Sequence, residues 1–453
     1  MLNKIETEFG SFSKWFKVTF YVLFVIYLIA WLSTIYLSNV QKERNLEPIL
    51  PIMAEDSEEY RDLIESMINN HSFVYDGHIN TLRAPGYMFF AAVIKTIGRS
   101  YFAVTLVQII LVFYSAVIIR RIGLFFADKK VGEIAASMLL LNPITLVLSL
   151  VILTDILFLF VFMYGFYLAA TSNVRSIKRI IWASILFAIA IYIRPMGAFA
   201  LPIFATPFLL SEMDIKNKIK ALFIMVATIF LLMVPWMVRN YKLTGVFDFT
   251  SFKSINLVDY AVPIYLSNIN KTTVSQEKVK IENKLGITRD KWRDIRYSKE
   301  ISSAMQKIIL EQPFSYLKFH TLSSLPFLFS SSVQYLGESY DSALHMKKEF
   351  KPGIIKYLVA KDWGMFINGL YSEWWKLGER IVWLLIYTLA LLGWWQNKKK
   401  LFAWGFLFIP AYLMLLAGPA ANARYALQGL PFVLLLFGSG LVYIRAKLVK
   451  KYV

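Results

Sequence analysis

Ala-Glu-Asp-Ser-Glu-Glu-Tyr at residues 54–60 and Leu-Arg-Ala-Pro-Gly-Tyr at 82–87 lie directly behind the first strongly apolar segment, Phe16 to Leu37. Between Ala54 and Tyr87 the chain places Glu55, Asp56, Glu58, Glu59, Arg61, Asp62, Glu65 and Arg83. A charged insert behind a membrane span is either a solvated loop or the chemistry of the molecule. The spacing of Tyr60, Ile64, Met67 and Ile68 predicts a helix over Asp56 to Asn70, lying along the membrane surface with its carboxylates in water. Pro85 to Gly98 is apolar but too short to cross, and predicts a second interfacial or dipping helix.

Working outward, the 453 residues are 57% hydrophobic, 16% aromatic and only 17% charged, which points to an all-α polytopic membrane protein. The net charge of +19 sits at the ends of apolar spans. That is the positive-inside distribution, so the expected partners are membrane lipids and not nucleic acid. The absence of cysteine excludes disulfides, thiolate metal sites and a cysteine nucleophile. His71, His78, His320 and His345 are too scattered for a metal site. Phe16 to Leu37 is longer than a signal-peptide core and lacks a small-residue cleavage site, so it reads as a retained first helix.

Lys4, Lys14 and Lys17 ahead of that helix put the N-terminus in the cytoplasm. Further spans follow at Tyr101 to Ile119, Val131 to Leu148, Ile156 to Ala170, Ile180 to Ile193, Gly197 to Leu210 and Ala221 to Val238. Ile381 to Trp395, Leu401 to Leu416 and Tyr425 to Tyr443 complete the set. Inner basic clusters at Arg120-Arg121, Arg175 to Arg179, Lys216 to Lys220, Lys398 to Lys400 and Arg445 to Lys451 alternate with them. The expectation is one membrane domain over 1–453, with about ten spans, between eight and twelve, and both termini inside. Residues 39–100 form a first outer loop with juxtamembrane helices, and residues 240–376 a large outer region containing one amphipathic helix. Phe314 to Val333, with Lys318, His320 and Pro326, reads as re-entrant or interfacial.

This topology collects Asp56, Arg83, Asp155, Arg194, Arg239 and Arg424 on the outer side. Arginines there run against the positive-inside bias and call for a ligand. A guanidinium grips phosphate bidentately, and a carboxylate beside it suits general-base work on a hydroxyl. Each also has a plainer reading. Asp56 could belong to a solvated acidic face, Arg83 and Arg239 could snorkel to headgroups, and Asp155 could cap the helix that follows it.

Asp56 and Tyr60 in Asp-x-x-x-Tyr, then Arg-Ala-Pro-Gly-Tyr at 83–87, resemble the polyprenyl-phosphate-sugar-dependent glycosyltransferases of the type C (GT-C) fold. That family includes the protein O-mannosyltransferases and the lipid A aminoarabinose transferase. In the same order come Leu-Thr-Asp at 153–155, Ile-Arg-Pro at 193–195, Pro-Trp-Met-Val-Arg-Asn at 235–240, Glu-Gln-Pro-Phe-Ser-Tyr-Leu at 311–317 and Ala-Arg-Tyr at 423–425. The resemblance implies a GT-C-like helical bundle with Asp56 as the catalytic aspartate and Asp155 as a second catalytic acid. Arg83 and Arg239 would bind the donor phosphate, and Tyr60, Tyr87, Arg194 and Arg424 would line the substrate cleft. One departure is Ser57, where the family often has a second charge after the aspartate.

The implied activity is that of a hexosyl- or pentosyltransferase moving a sugar from undecaprenyl phosphate to a hydroxyl. The acceptor would be a cell-envelope glycan such as lipopolysaccharide, lipid A or a protein, at the periplasmic face of a bacterial cytoplasmic membrane. No cofactor is required, although two carboxylates facing a phosphate would admit a divalent metal. The alternatives are a transporter or flippase, which calls for repeated halves and broken helices at the midplane, and a polymerase of lipid-linked glycans.

Overall fold

The computed structural model describes residues 10–43, 51, 55–172, 177–195, 197–329, 363–364, 367 and 374–452. Lys4, Arg175, His345 and most of 330–373 therefore lie outside the described residues. The described residues are 84% helical, and the chain is a multi-pass membrane protein. Each of the ten expected stretches contains helix, but Gly197 to Leu210 opens on a 3-10 turn and Tyr425 to Tyr443 is interrupted by a turn at Leu427 to Gly429. Among the described residues six helices, not ten, are long and apolar enough to cross a membrane, or seven if one bent pair counts as a single span. Asp155–Ala170 and Leu201–Leu210 are shorter apolar helices.

That bent pair corrects the reading of Val131 to Leu148 as one helix. Lys129–Leu141 and Pro143–Ser149 meet at 61°. Pro143 cannot donate to the preceding turn, and Asn142 Oδ1 restarts the ladder by accepting from Ile144 N at 3.0 Å. Beyond it, Leu150 to Thr154 are irregular yet almost fully buried. Irregular backbone is tolerated at membrane depth only when other protein covers it. Gln108 satisfies this segment, donating from Nε2 to the carbonyls of Ser149 (3.2 Å) and Val151 (2.8 Å). Asp155 emerges from it as the first residue of the next helix.

The bundle is closed by small residues where backbones touch. A Cβ on Gly440 would lie 2.0 Å from the Leu389 carbonyl oxygen, so Trp374–Asn397 and Leu430–Tyr452 approach as closely as helices can. Ile215–Thr244 shows the opposite character. Ile219, Phe223, Phe230 and Leu231 are exposed along it, as suits a lipid-facing helix. The Phe314 to Val333 stretch is not continuous: it contains Pro313–Ser323 and Pro326–Phe329.

A second core, separate from that of the membrane helices, brings together Ile255, Val258, Val262, Ile281, Trp292, Ile301 and Met305; it falls within residues 240–376 and is called the outer region after the side expected for it. A hairpin leads to it. Val74–Tyr75 pairs antiparallel with His78–Ile79 across Asp76-Gly77, whose φ values of 49° and 72° suit a tight hairpin turn. Past the second strand the chain continues irregularly through Asn80 to Arg83. Leu82 enters the outer core while Ala84 enters the membrane core, so this segment joins the two.

Candidate active site

Six separate pieces of chain deliver charged side chains to one place. Asp56 and Glu59 lie on the first turns of Glu55–Asn70, spaced to share a helix face with Tyr60 and Leu63. This corrects the expectation that the carboxylates of this helix stand in water. Glu58 does, but Glu59 is only 4% exposed and Asp56 is turned inward. Arg83 follows the hairpin, and its N–H donates to Asn80 Oδ1 at 2.8 Å, closing a turn. Arg194 ends Ile177–Ile193, where Pro195 discourages a further helical turn. Arg424 lies on the short helix Ala423–Ala426, capped by Asn422, whose side chain accepts from the N–H groups of Arg424 and Tyr425.

The ion pairs form an alternating ladder. Arg293 Nη2 meets Glu59 Oε2 at 2.7 Å, and the same oxygen meets Arg83 Nη2 at 2.8 Å. Arg83 Nη2 also meets Asp56 Oδ1 at 2.7 Å. Asp56 Oδ2 meets Arg424 Nη1 at 2.7 Å, and Arg424 Nε meets Asp155 Oδ2 at 2.7 Å. Asp155 Oδ1 pairs with Arg194 at the far end. Four guanidinium groups alternate with three carboxylates, which leaves the ladder one positive charge. Tyr60 braces it, its hydroxyl accepting from Arg83 Nη1 at 3.3 Å and its ring lying 5.0 Å from the Arg83 guanidinium carbon.

Asp155 is not the cap of its helix. The preceding residue, Thr154, holds the cap position without a side-chain bond, and the Asp155 carboxylate is committed to Arg194 and Arg424. Arg424, expected only at the cleft wall, bridges the two aspartates. Tyr87 does not line the cleft. It is fully buried, donates to Gln108 Oε1 at 2.8 Å and backs Tyr60 with ring centroids 5.4 Å apart. It thereby links Tyr60 to the irregular segment that presents Asp155. Arg239 stands outside the ladder. Its Nη1 donates to the Asn80 carbonyl (3.1 Å) and Asn240 Oδ1 (2.8 Å), and its guanidinium carbon lies 4.6 Å from the Trp236 ring. Asn80 thus touches both Arg83 and Arg239, and among the described residues no carboxylate forms an ion pair with Arg239.

Glu59 and Arg293 were not singled out from sequence. Glu59 lies three residues after Asp56, a spacing that would have placed it on the same face once the helix start was known. Arg293 lies 234 residues from Glu59 in a mixed-charge stretch, and nothing local marks it.

Burial alone would raise the pKa of Asp56, but the charges and hydrogen bonds of Arg83 and Arg424 outweigh it and hold the carboxyl below the usual range. Burial pushes the Tyr60 phenol up, so it remains protonated. In the resting state Asp56 is therefore an ionised but weakly basic carboxylate. Among the described residues no three histidine or carboxylate side chains gather to hold a metal ion.

No family model and no curated protein matches the chain. Among solved structures, 96% of it overlays the oligosaccharyltransferase AglB of Archaeoglobus fulgidus, in complex with an inhibitory peptide and a dolichol-phosphate, at 14% identity and a TM-score of 0.48. ArnT from Cupriavidus metallidurans bound to undecaprenyl phosphate overlays 93% of it, also at 14% identity, with a TM-score of 0.41. Its structural neighbours are membrane glycosyltransferases. The chain spans 51% of the archaeal enzyme and 77% of ArnT.

Proposed function

We propose that this chain is a glycosyltransferase that takes a sugar from a polyprenyl-phosphate donor and places it on an acceptor hydroxyl. The observation that carries the reading is the ladder: two aspartates joined by one arginine, beside a second arginine, at the ends of apolar helices. Such a cluster is costly in a membrane protein and is expected where charge must be handled.

The donor phosphate would enter on Arg83 and Arg424, with Arg239 and the remaining donors of Arg194 close to its path. Binding would divert Arg83 and Arg424 from Asp56, which then regains basicity. Asp56 accepts the acceptor's hydroxyl proton as that oxygen bonds to the anomeric carbon. The anomeric carbon–oxygen bond to phosphate breaks, and the electron pair leaves on the polyprenyl phosphate, where the arginines offset it. Asp155 orients Arg424, and inversion at the anomeric carbon follows from a single displacement. An apolar groove beneath the Arg424 turn, lined by Phe327, Leu328, Trp383, Tyr387, Leu430 and Val433, is suited to the lipid tail. The acceptor would be a cell-envelope glycan, lipid A or a protein, met at the outer face of a bacterial cytoplasmic membrane.

One observation favours the rival transporter or flippase. The bent pair at Asn142 is a broken helix of the kind transporters use. A single experiment separates the two: supply polyprenyl-phosphate sugar and a hydroxyl acceptor to vesicles holding wild type, Asp56→Asn or Asp155→Asn. The proposal expects a new glycosidic product from wild type and none from Asp56→Asn. Full transfer by a folded, inserted Asp56→Asn overturns it, and lipid movement without product favours the rival.

A further inference from the structure

We propose that Arg293 is a positioning residue that keeps Arg83 available to an anion by sharing the charge of Glu59; this rests on Arg83 as a donor-phosphate ligand. A single carboxylate oxygen, Glu59 Oε2, accepts from Arg83 at 2.8 Å and from Arg293 at 2.7 Å. The other, Oε1, is buried without a partner. Glu59 therefore gives its whole interaction to two guanidinium groups. Without Arg293 it would face Arg83 alone, and Arg83 would answer both Glu59 and Asp56. The ladder would also lose its single net positive charge, so an incoming phosphate would be held less well.

Arg293 is held for this task by the outer region. Its carbonyl oxygen accepts from Ser251 Oγ at 2.6 Å and Thr81 Oγ1 at 3.2 Å. Its neighbour Trp292 is buried, with Nε1 donating to the Ile287 carbonyl at 3.0 Å. Thr81 also accepts from Ile295 N at 3.1 Å. Since Thr81 lies two residues before Arg83, the outer region sets the positions of Arg83 and of the cation that tunes it.

The charged groups facing Glu59 are Arg83 from the post-hairpin segment and Arg293 from the outer region. Asp56, Glu58, Asp62 and Tyr60 lie on its own helix, and Tyr75 of the hairpin sits 5.8 Å from the Arg293 guanidinium carbon. Lys95 and Tyr101 engage Glu65, farther along the helix. Removing Arg293 takes away one of the two guanidinium groups paired with this buried carboxylate and leaves Arg83 to answer it alone.

The test is binding of undecaprenyl phosphate to detergent-purified full-length protein at neutral pH. Arg293→Gln should weaken binding on the order of tenfold. Arg293→Lys should recover much of the loss. Glu59→Gln/Arg293→Gln should bind close to wild type, which a merely structural role for Arg293 does not produce. If Arg293→Gln fails to fold, the Lys variant and the double variant carry the comparison. Wild-type binding by Arg293→Gln, or a deficit that neither Arg293→Lys nor the double variant suppresses, overturns the inference. Failure of wild type to bind the lipid phosphate overturns the functional reading instead.

Discussion

Asp56 and Asp155 each lie between two arginines, but replacing them should have opposite consequences, and exposure is the reason. Asp155 has no exposed side chain, and its two oxygens serve Arg194 and Arg424. Asp155→Asn leaves two buried guanidinium groups with no intervening charge. Breaking a buried pair in this way costs about 3–5 kcal/mol. The Asp56 side chain is 33% exposed, so water can take over part of the lost interaction. The cost of Asp56→Asn is then about 1–2 kcal/mol after discounting for screening. Activity should run the other way. A lost general base removes about 10²–10⁴ in rate, so Asp56→Asn should purify as a folded but inactive protein. Asp155→Asn should lose thermal stability by about 3–5 °C for a chain of this size. Thermal denaturation in detergent, paired with transfer assays on the same preparations, separates the two. Equal melting temperatures for wild type and Asp155→Asn would refute the argument that this carboxylate is the keystone of the ladder.

Three further outcomes follow from particular contacts. Gly418 has φ +50° and a Cβ there would lie 2.4 Å from the His320 ring, so Gly418→Ala should displace the turn before Arg424. It should reduce transfer more than it reduces overall folding, measured by activity against helical content. Leu82→Ala removes a 4% exposed side chain from the outer core at a cost of about 2–5 kcal/mol. Limited proteolysis should then cut the outer region faster while the membrane helices stay intact. The depressed Asp56 pKa sets a sign in acid. Its stabilising contribution is fully present above the ordinary carboxylate value of about 3.9 and is lost only as pH falls through the lower folded value. Unfolding midpoints should therefore show no pH dependence from this group between about pH 5 and 8, and an acid transition assigned to Asp56 within that window would contradict the pairing.

Much of the site was legible because polar residues stand out against an apolar chain. Asp155, Arg194 and Arg424 are conspicuous at the ends of spans, and positive-inside alternation put them on one side with Asp56 and Arg83. Their order of connection was not legible. Arg424 joins Asp56 to Asp155 across 368 and 269 residues, and no local pattern encodes such a pairing. Glu59 was hidden by its acidic neighbours until the helix register separated it from the exposed Glu58. The bend at Asn142 was missed because hydropathy averages over a break, although Asn-Pro is a strong local stop. Tyr87 was misplaced for a related reason: a tyrosine near a charged motif suggests a cleft, whereas here its hydroxyl is consumed by Gln108.

The alternating ladder has one more consequence, in the electroneutrality of turnover. A polyprenyl-phosphate sugar is a phosphodiester monoanion, which cancels the single positive charge of the resting ladder. Under the proposed reaction, Asp56 takes up a proton and the ladder gains a second positive charge, while the departing lipid phosphate becomes a monoester whose second ionisation lies near pH 6. Reactant and product complexes are then both neutral, with no counter-ion imported from solution. The proton retained on Asp56 also strengthens the hold on the spent lipid. Product release and loss of that proton should therefore occur together, and a solvent-isotope effect on steady-state turnover would locate the slow step there.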